Sequence, residues 1–415
     1  MRLVKGVVVL AVVLMVAAAC SSSSKSGSSA TTTAGSGSAG SGSGKTYAIG
    51  LMGDFTGAAS ADSKDMPLAA QARIGLAATQ GYNIKLYTAD TQSTPSGALS
   101  AAQKLVDEDH VFAVIAISDL TFGAVSFLSS HGIPVIGASF DGSEWNTMRN
   151  MFSVFGFADY SKAETTIGQF FKLVGVTTIG GVGYQIIPSS ADAVKALAPS
   201  AAAAGLKVGY LNAEFPLGGT NVGPEVLAMK QAGVDGVAME IEQNSGFAIV
   251  TGMRQEGVAP KAAVYGAGYG SDLLESGPAA LQEAQDGYFQ LEYEPVEMHT
   301  PATENFQNNL KKYAGYTKVP GLNEYVAYLS VDLFVTGLQM AGSNPTQASF
   351  INTLLGITSY DGAGLWGGHT LSMAMSSRGT GGAGAGNCIW FPQFKGSQFV
   401  VASNVNPVCG TVING

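Results

Sequence analysis

After Lys45 the chain alternates short apolar runs with Ala-rich, helix-compatible stretches, and the alternation continues for more than two hundred residues. Apolar runs at Tyr47–Met52, Ile84–Ala89, Val111–Ile117 and Ile133–Gly137 predict strands. Between them, Ala69–Thr79, Pro95–Asp109 and Phe122–Ser130 predict helices. Ser93 and Thr94 are capping candidates for the second of these, and Pro95 suits its first turn. The run Val111–Ile117 is continuously rather than alternately hydrophobic, the mark of a strand buried on both faces as in a parallel sheet.

A second series starts near Met151. It predicts strands at Phe152–Phe155, Thr178–Val182, Val208–Leu211, Gly236–Glu240 and Ala263–Tyr265. The intervening helices are Ser161–Val174, Ser190–Ala204, Gly223–Ala232 and Phe247–Glu256. Two αβ series of similar size in tandem predict an α/β fold with two doubly wound lobes. Helices at Glu304–Tyr313 and Asn323–Met340 follow, then a Gly-rich, strand-prone tail in which Gly379–Gly386 reads as a mobile loop.

The start of the chain has a different pattern. Arg2 and Lys5 precede an apolar run from Val7 to Ala18, and small residues lead to Cys20, the layout of a secretory signal peptide over residues 1–20. A cysteine directly after Ala17-Ala18-Ala19 resembles a bacterial lipobox, which implies lipidation of Cys20; Ala17 stands where Leu or Val is usual, and an ordinary signal peptide is the alternative. Residues 21–44 are almost wholly Ser, Gly, Thr and Ala. Such a segment buries too little apolar area to offset its ordering entropy, so a flexible tether is expected, holding the remainder outside the cytoplasm on a membrane. No later apolar stretch reaches the roughly 20 residues that span a bilayer.

Composition narrows the function. The roughly 370 residues beyond the tether exceed what one core organises. A net charge of −9, with no basic run past the signal segment, makes nucleic acid a poor partner. Cys388 and Cys409 predict a disulfide in an exported chain, with two buried thiols as the alternative. The four histidines, His110, His131, His299 and His369, are scattered, none at ligand spacing from a cysteine, so no metal site is expected. The segment Gly266-Ala267-Gly268-Tyr269-Gly270 follows a strand but lacks the third spaced glycine of a dinucleotide loop. No G-x-S-x-G, H-E-x-x-H or G-x-x-x-x-G-K-[ST] occurs, so neither an enzyme nor a cofactor is expected.

Four segments carry a resemblance when taken together in order: Ile49–Gly57; Asp90–Pro95 running into Ala101–Val106; Gly132–Ile136; and Tyr360–Gly364. With them the chain, from about Tyr47 to its C-terminus, resembles the solute-binding proteins of branched-chain amino acid ABC importers. The resemblance implies a type I periplasmic binding protein fold, two Rossmann-like lobes joined by a three-stranded hinge. Lobe one would combine residues 45–152 with 295–360, and lobe two 153–294 with 361–415. Crossings would fall near Met151–Phe157, Phe289–Pro295 and Tyr360–Gly364.

It also implies a monomer that binds a small amino acid, amide or acid between the lobes and delivers it to permease subunits. A ligand sensor or a structural surface lipoprotein is the alternative. For the ligand carboxylate the resemblance points to Ser118 and Asp119 and to the next turn at Ala138 and Ser139; Ser118 reads equally as a helix cap, and Asp119 more readily as a cap than as a contact. Phe55 and Thr56 are wall candidates or ordinary turn residues. On lobe two, glycines stand where the family places a carboxylate for the ligand ammonium. Glu242 either replaces that charge, with Tyr184 and Tyr269 as aromatic surface, or is a solvated loop acid.

Overall fold

In a computed structural model the described residues are 44–413. The segments holding the signal-peptide reading, Cys20 and nearly all of the tether lie outside them. The first αβ series forms five strands: β1 (Thr46–Gly53), β2 (Asn83–Asp90), β3 (Ala113–Ile117), β4 (Val135–Gly137) and β5 (Met151–Ser153). They make one parallel sheet in the order β2-β1-β3-β4-β5. Every residue of β3 is buried, as its unbroken apolar run requires.

The second series supplies β6 (Thr178–Tyr184), β7 (Lys207–Phe215), β8 (Gly236–Glu240), β9 (Ala262–Tyr265) and β10 (Tyr288–Phe289). The tail adds β11 (Cys388–Ile389), β12 (Gln393–Lys395), β13 (Gln398–Val400) and β14 (Val408–Cys409). The second sheet runs β13-β12-β10-β9-β8-β6-β7, parallel from β10 to β7 and antiparallel where the tail hairpin joins. The Cys388–Cys409 disulfide, S–S 2.07 Å, staples β11 to β14.

Helix Leu322–Ala341 closes the first sheet from far along the chain. Fifteen of its residues are buried, and it packs on helix Met66–Thr79, where Arg73 Nε meets Asp332 Oδ1 at 2.6 Å. The sequence pattern predicts no helix between this one and Tyr360. The structure forms one at Gln347–Leu355, capped by Thr346 and held by Phe350 against Phe112 and Phe334. The helix expected from Ser161 starts at Thr166, because the Asp159 carboxylate accepts both the N–H and the hydroxyl of Ser161 and holds a turn there. The helix expected at Pro95–Asp109 is α-helical to Gln103 and continues in the wider π form over Lys104–Glu108, while Thr94 caps its start by accepting the Gly97 N–H at 2.9 Å.

The chain passes between sheets after β5 and again after β10. The third passage lies later than Tyr360–Gly364. Tyr360 and Leu371 pair antiparallel, Met373 N–H donates to Ile357, and the Arg378 guanidinium binds the carbonyls of Trp145 and Met148, so residues 371–378 return to the first sheet after Leu365 and His369 have touched Glu294 and Cys388. Only then do residues 379–384 run alongside Phe155–Phe157, with Gly379 and Gly384 donating to Phe157 and Phe155. The stretch read as a mobile loop is thus tied down by backbone hydrogen bonds, with Ala383 and Ala385 in the core. Its small residues permit that close approach: a Cβ on Gly156 would sit 3.2 Å from the Gly384 nitrogen. The two sheets also touch on both flanks of the space between them. Ser189 N–H donates to Asp141 on one side, Ser271 N–H to Val319 on the other, and Lys318 Nζ bridges Asp65 at 2.8 Å and Glu275 at 2.9 Å. Among the described residues no helix is long and apolar enough to cross a membrane.

Candidate functional site

In parallel αβ layers, loops gather at the carboxyl ends of strands, where ligands sit. Here the carboxyl ends of both sheets border one cavity of about 120 Å³. Asp54, Ser118 and Asp119 come from the ends of β1 and β3, and Asp62 and Asn323 from the same side. Tyr184, Glu240, Glu242 and Ala267 come from the ends of β6, β8 and β9, while Phe155, Gln290 and Glu292 come from the chain passages between the sheets.

Four of the nine residues singled out from the sequence meet there: Ser118, Asp119, Tyr184 and Glu242. The other five are outside its lining, each for a visible reason. Thr56 donates its N–H and hydroxyl to the Asp90 carboxylate at 3.1 and 2.6 Å, which makes it a turn residue. Phe55 is half-buried against the main core. Ala138 is fully buried at the end of β4. The Ser139 hydroxyl donates to the Gly156 carbonyl at 3.1 Å and its N–H to Ser153 Oγ at 3.3 Å. Tyr269 turns its hydroxyl to Glu297 at 2.5 Å and its ring onto Phe399.

Asp54 takes the position expected of a ligand anion. Its carboxylate accepts the Thr91 hydroxyl, the Ser118 hydroxyl at 2.8 Å and the Asp119 N–H at 3.0 Å. The Ser118 oxygen in turn accepts the Leu120 N–H at 3.0 Å. Both donors expected to grip a solute carboxylate therefore serve a carboxylate of the protein itself. The loop is held in place by Gly57 at φ +96°, whose backbone lies against the next loop so closely that a Cβ would meet the Gln92 carbonyl at 2.6 Å.

Among the described residues six carboxyl groups line the cavity (Asp54, Asp62, Asp119, Glu240, Glu242 and Glu292), and no Lys, Arg or His does. Burial disfavours their charged forms, so Asp62 and Glu240 rise to about 7 and Glu292 to about 8. Asp119 and Glu242 stand well above the usual carboxylate range, through burial first and then the charges of their acidic neighbours. Asp54 is raised less, because its three donors stabilise the ionised form against burial. Within this ring Glu242 Oε2, Glu292 Oε2, Gln290 Oε1 and Asn323 Oδ1 are buried acceptors with no hydrogen-bond partner.

Sequence reasoning missed Asp62, Glu240 and Glu292 and gave Asp54 no role. Asp54 and Glu240 end strands whose carboxyl edges form the site, and Glu292 lies in the passage expected at Phe289–Pro295, so strand ends and crossings were the available signal. Among the described residues, one group of His, Cys or acid side chains is close enough to suggest a metal, His369 with Cys388 and Cys409, and its cysteines are tied up in the disulfide.

No curated protein matches the chain. Solved structures share its fold at low identity. A leucine-binding protein LivK from Thermotoga maritima is 15% identical with a TM-score of 0.72, covering 88% of this chain and 99% of that one. The branched-chain amino acid transporter substrate-binding protein LivJ from Streptococcus pneumoniae, in complex with isoleucine, is 18% identical with a TM-score of 0.70, covering 89% and 99%. An ABC transporter solute-binding protein from R. palustris, in complex with 4-hydroxybenzoate, is 13% identical with a TM-score of 0.71, covering 88% and 97%. A family profile described as periplasmic binding protein matches residues 46–397, most of the chain, and the chain belongs to that family.

Proposed function

We propose that this protein captures a small polar organic solute between its two lobes outside the cytoplasm and presents it to the permease subunits of an ABC importer. The observation that carries this reading is the acid-lined cavity at the facing carboxyl ends of the two sheets, in a chain of this family. Relatives of the same fold hold isoleucine and 4-hydroxybenzoate, which supports a solute of that size class. Binding proteins of this kind close by hinge motion, and three chain passages here supply a hinge. The reading needs no cofactor and no covalent step. Lobe one would be residues 45–152 with 295–378, and lobe two 153–294 with the remainder. Cys20 would carry the lipid anchor, with residues 21–44 as its leash; loss of lipid labelling in Cys20→Ser tests that.

Glu242 supports a solute bearing an amine. Its carboxylate is buried in the lining with one oxygen unpartnered, so a charged N–H donor would relieve it. Thermal unfolding of the full-length chain in detergent, against amino acids, amides, ureas, amines and aromatic acids, tests the function. A solute at a hundred times its dissociation constant adds about 2.7 kcal/mol. An amine-bearing hit is expected. A panel with no shift, together with no small molecule released on denaturing the purified protein, would count against solute capture.

A further inference from the structure

We propose that the cavity takes a small organic dication lacking a carboxylate, with one charged nitrogen against Glu242 beside Asp54 and Asp119 and the other against Glu292 beside Glu240. This rests on the reading of the cavity as the solute site and names the class of solute.

The absence of a ligand carboxylate follows from Asp54. The Ser118 hydroxyl and Asp119 N–H, which would receive an anion, already donate to it at 2.8 and 3.0 Å. A second carboxylate at that spot would lie against Asp54 with no donor left. An ordinary amino acid is thereby disfavoured on charge and on hydrogen bonding alike.

The demand for positive charge follows from the orphaned oxygens. Glu242 is 8% exposed and Glu292 only 1%, and each keeps an oxygen without a donor. Buried carboxyls are normally paired, because an unpaired one carries its desolvation cost uncompensated. No cationic side chain among the described residues of the lining compensates these two, and a cationic solute supplies the missing donor.

Two nitrogens are needed because the acids form two groups. Glu242 opens helix Gln243–Gln255 and feels the charges of Asp62, Asp119 and Asp54. Glu292 lies on the passage where Leu291 pairs with Trp390, and it feels Glu240. Among the described residues no three of these acids bring oxygens within 4.8 Å of one another, so the site does not converge on a metal ion. Phe155, Tyr184 and Ile187 in the same lining offer apolar surface to a spacer between the charges. At the Glu240 end the cavity shares Tyr160, Ala193 and Gln290 with a second cavity of about 80 Å³, which gives the site length along that axis. Lys162 and Glu164 line that extension, the Lys162 Nζ being held by Asp159 at 3.2 Å and the Gly379 carbonyl at 2.6 Å.

Calorimetric titration of the full-length chain at pH 7 with 1,4-diaminobutane, 1,5-diaminopentane, butylamine, leucine, 4-hydroxybenzoate and calcium chloride tests the proposal. A diamine is expected to bind at least tenfold tighter than butylamine, with proton release seen as a difference between two buffers. Glu242→Gln and Glu292→Gln should each weaken it tenfold or more and bring it down towards butylamine. If either variant fails to fold, the wild-type pH series replaces it, and diamine affinity should rise at least tenfold from pH 6 to pH 8. Diamines that bind no better than butylamine overturn the dication. Tighter binding of leucine or 4-hydroxybenzoate also overturns it while leaving solute capture intact. Calcium binding without diamine binding makes the acids a metal site and overturns it too. If no probe binds, the dication falls, while solute capture is decided separately by the wider thermal panel and the small-molecule release assay.

Discussion

The hydroxyl of Tyr184 accepts the backbone N–H of Glu242 at 3.0 Å, joining the end of β6 to the start of the helix that follows β8. The bond fixes where the Glu242 backbone turns into the cavity while leaving the carboxylate oxygen Oε2 without a partner. Tyr184→Phe removes the acceptor and strands a buried N–H. We expect a loss of about 1 kcal/mol in stability and a fall of about tenfold in solute affinity, or about 1.4 kcal/mol. Unfolding curves and titration calorimetry on one preparation check both. An unchanged affinity would mean that Tyr184 does not position Glu242.

Asp54→Ala vacates the position between Ser118 and Asp119. The freed hydroxyl and N–H would then bind a carboxylate brought in by the solute. The variant is expected to gain at least tenfold in affinity for leucine over the wild type, at a cost of roughly 1–3 kcal/mol in stability from donors left unpaired. A variant that is stable and still indifferent to leucine would show that Asp54 does not fill an anion position.

The acid ring makes stability fall as pH rises. Carboxyls ordinarily titrate near 4, whereas Asp62 and Glu240 sit at about 7 and Glu292 at about 8. Their protonated forms favour the folded state; that contribution is complete below the unfolded values and is lost as pH climbs through 7 to 8. The solute-free protein should therefore melt several degrees lower at pH 8.5 than at pH 5, and a bound amine should flatten the slope. A melting temperature that rises across this window would contradict the raised values.

Arg73 and Asp332 pair with side chains only 5% and 15% exposed, and Tyr360 donates its hydroxyl to the other Asp332 oxygen at 2.9 Å. Removing one member strands a buried charge, so Asp332→Asn should cost roughly 3–5 kcal/mol. The pair ties helix Met66–Thr79 to helix Leu322–Ala341 at positions outside the cavity lining, which the latter helix reaches only at Leu322 and Asn323. Solute affinity of the folded fraction should stay within twofold, and a larger change would mean that this helix pair supports the site.

Replacing both Cys388 and Cys409 by Ala opens a loop of about 20 residues and should lower stability by roughly 3 kcal/mol. Denaturant unfolding against the wild type measures it. A difference below 1 kcal/mol would show that the β11–β14 contact holds without the bond.

Much of this protein was legible along the chain. Continuous apolar runs such as Val111–Ile117 read as strands buried on both faces, and they are, because a sheet covered by helices on both sides leaves no polar face to write into the sequence. Thr94 and Pro95 marked a helix start through chemistry that acts over a few residues. Ser118, Asp119, Tyr184 and Glu242 could be named because the family resemblance pointed to the loops at the carboxyl ends of these strands.

What only the tertiary structure decided was which groups face which. Ser118 read as a donor awaiting a solute, and nothing local to it shows that Asp54, 64 positions earlier, takes its hydrogen. Tyr269 read as aromatic surface beside Glu242, but its hydroxyl is held by Glu297 from another element. The passage expected at Tyr360–Gly364 falls near residues 379–384, because Arg378 is anchored on the Trp145 and Met148 carbonyls more than two hundred residues away. Propensity and periodicity act over a few neighbouring residues. The acid ring, its unpartnered oxygens and the raised protonation of its members arise only when distant strand ends exclude water from one space.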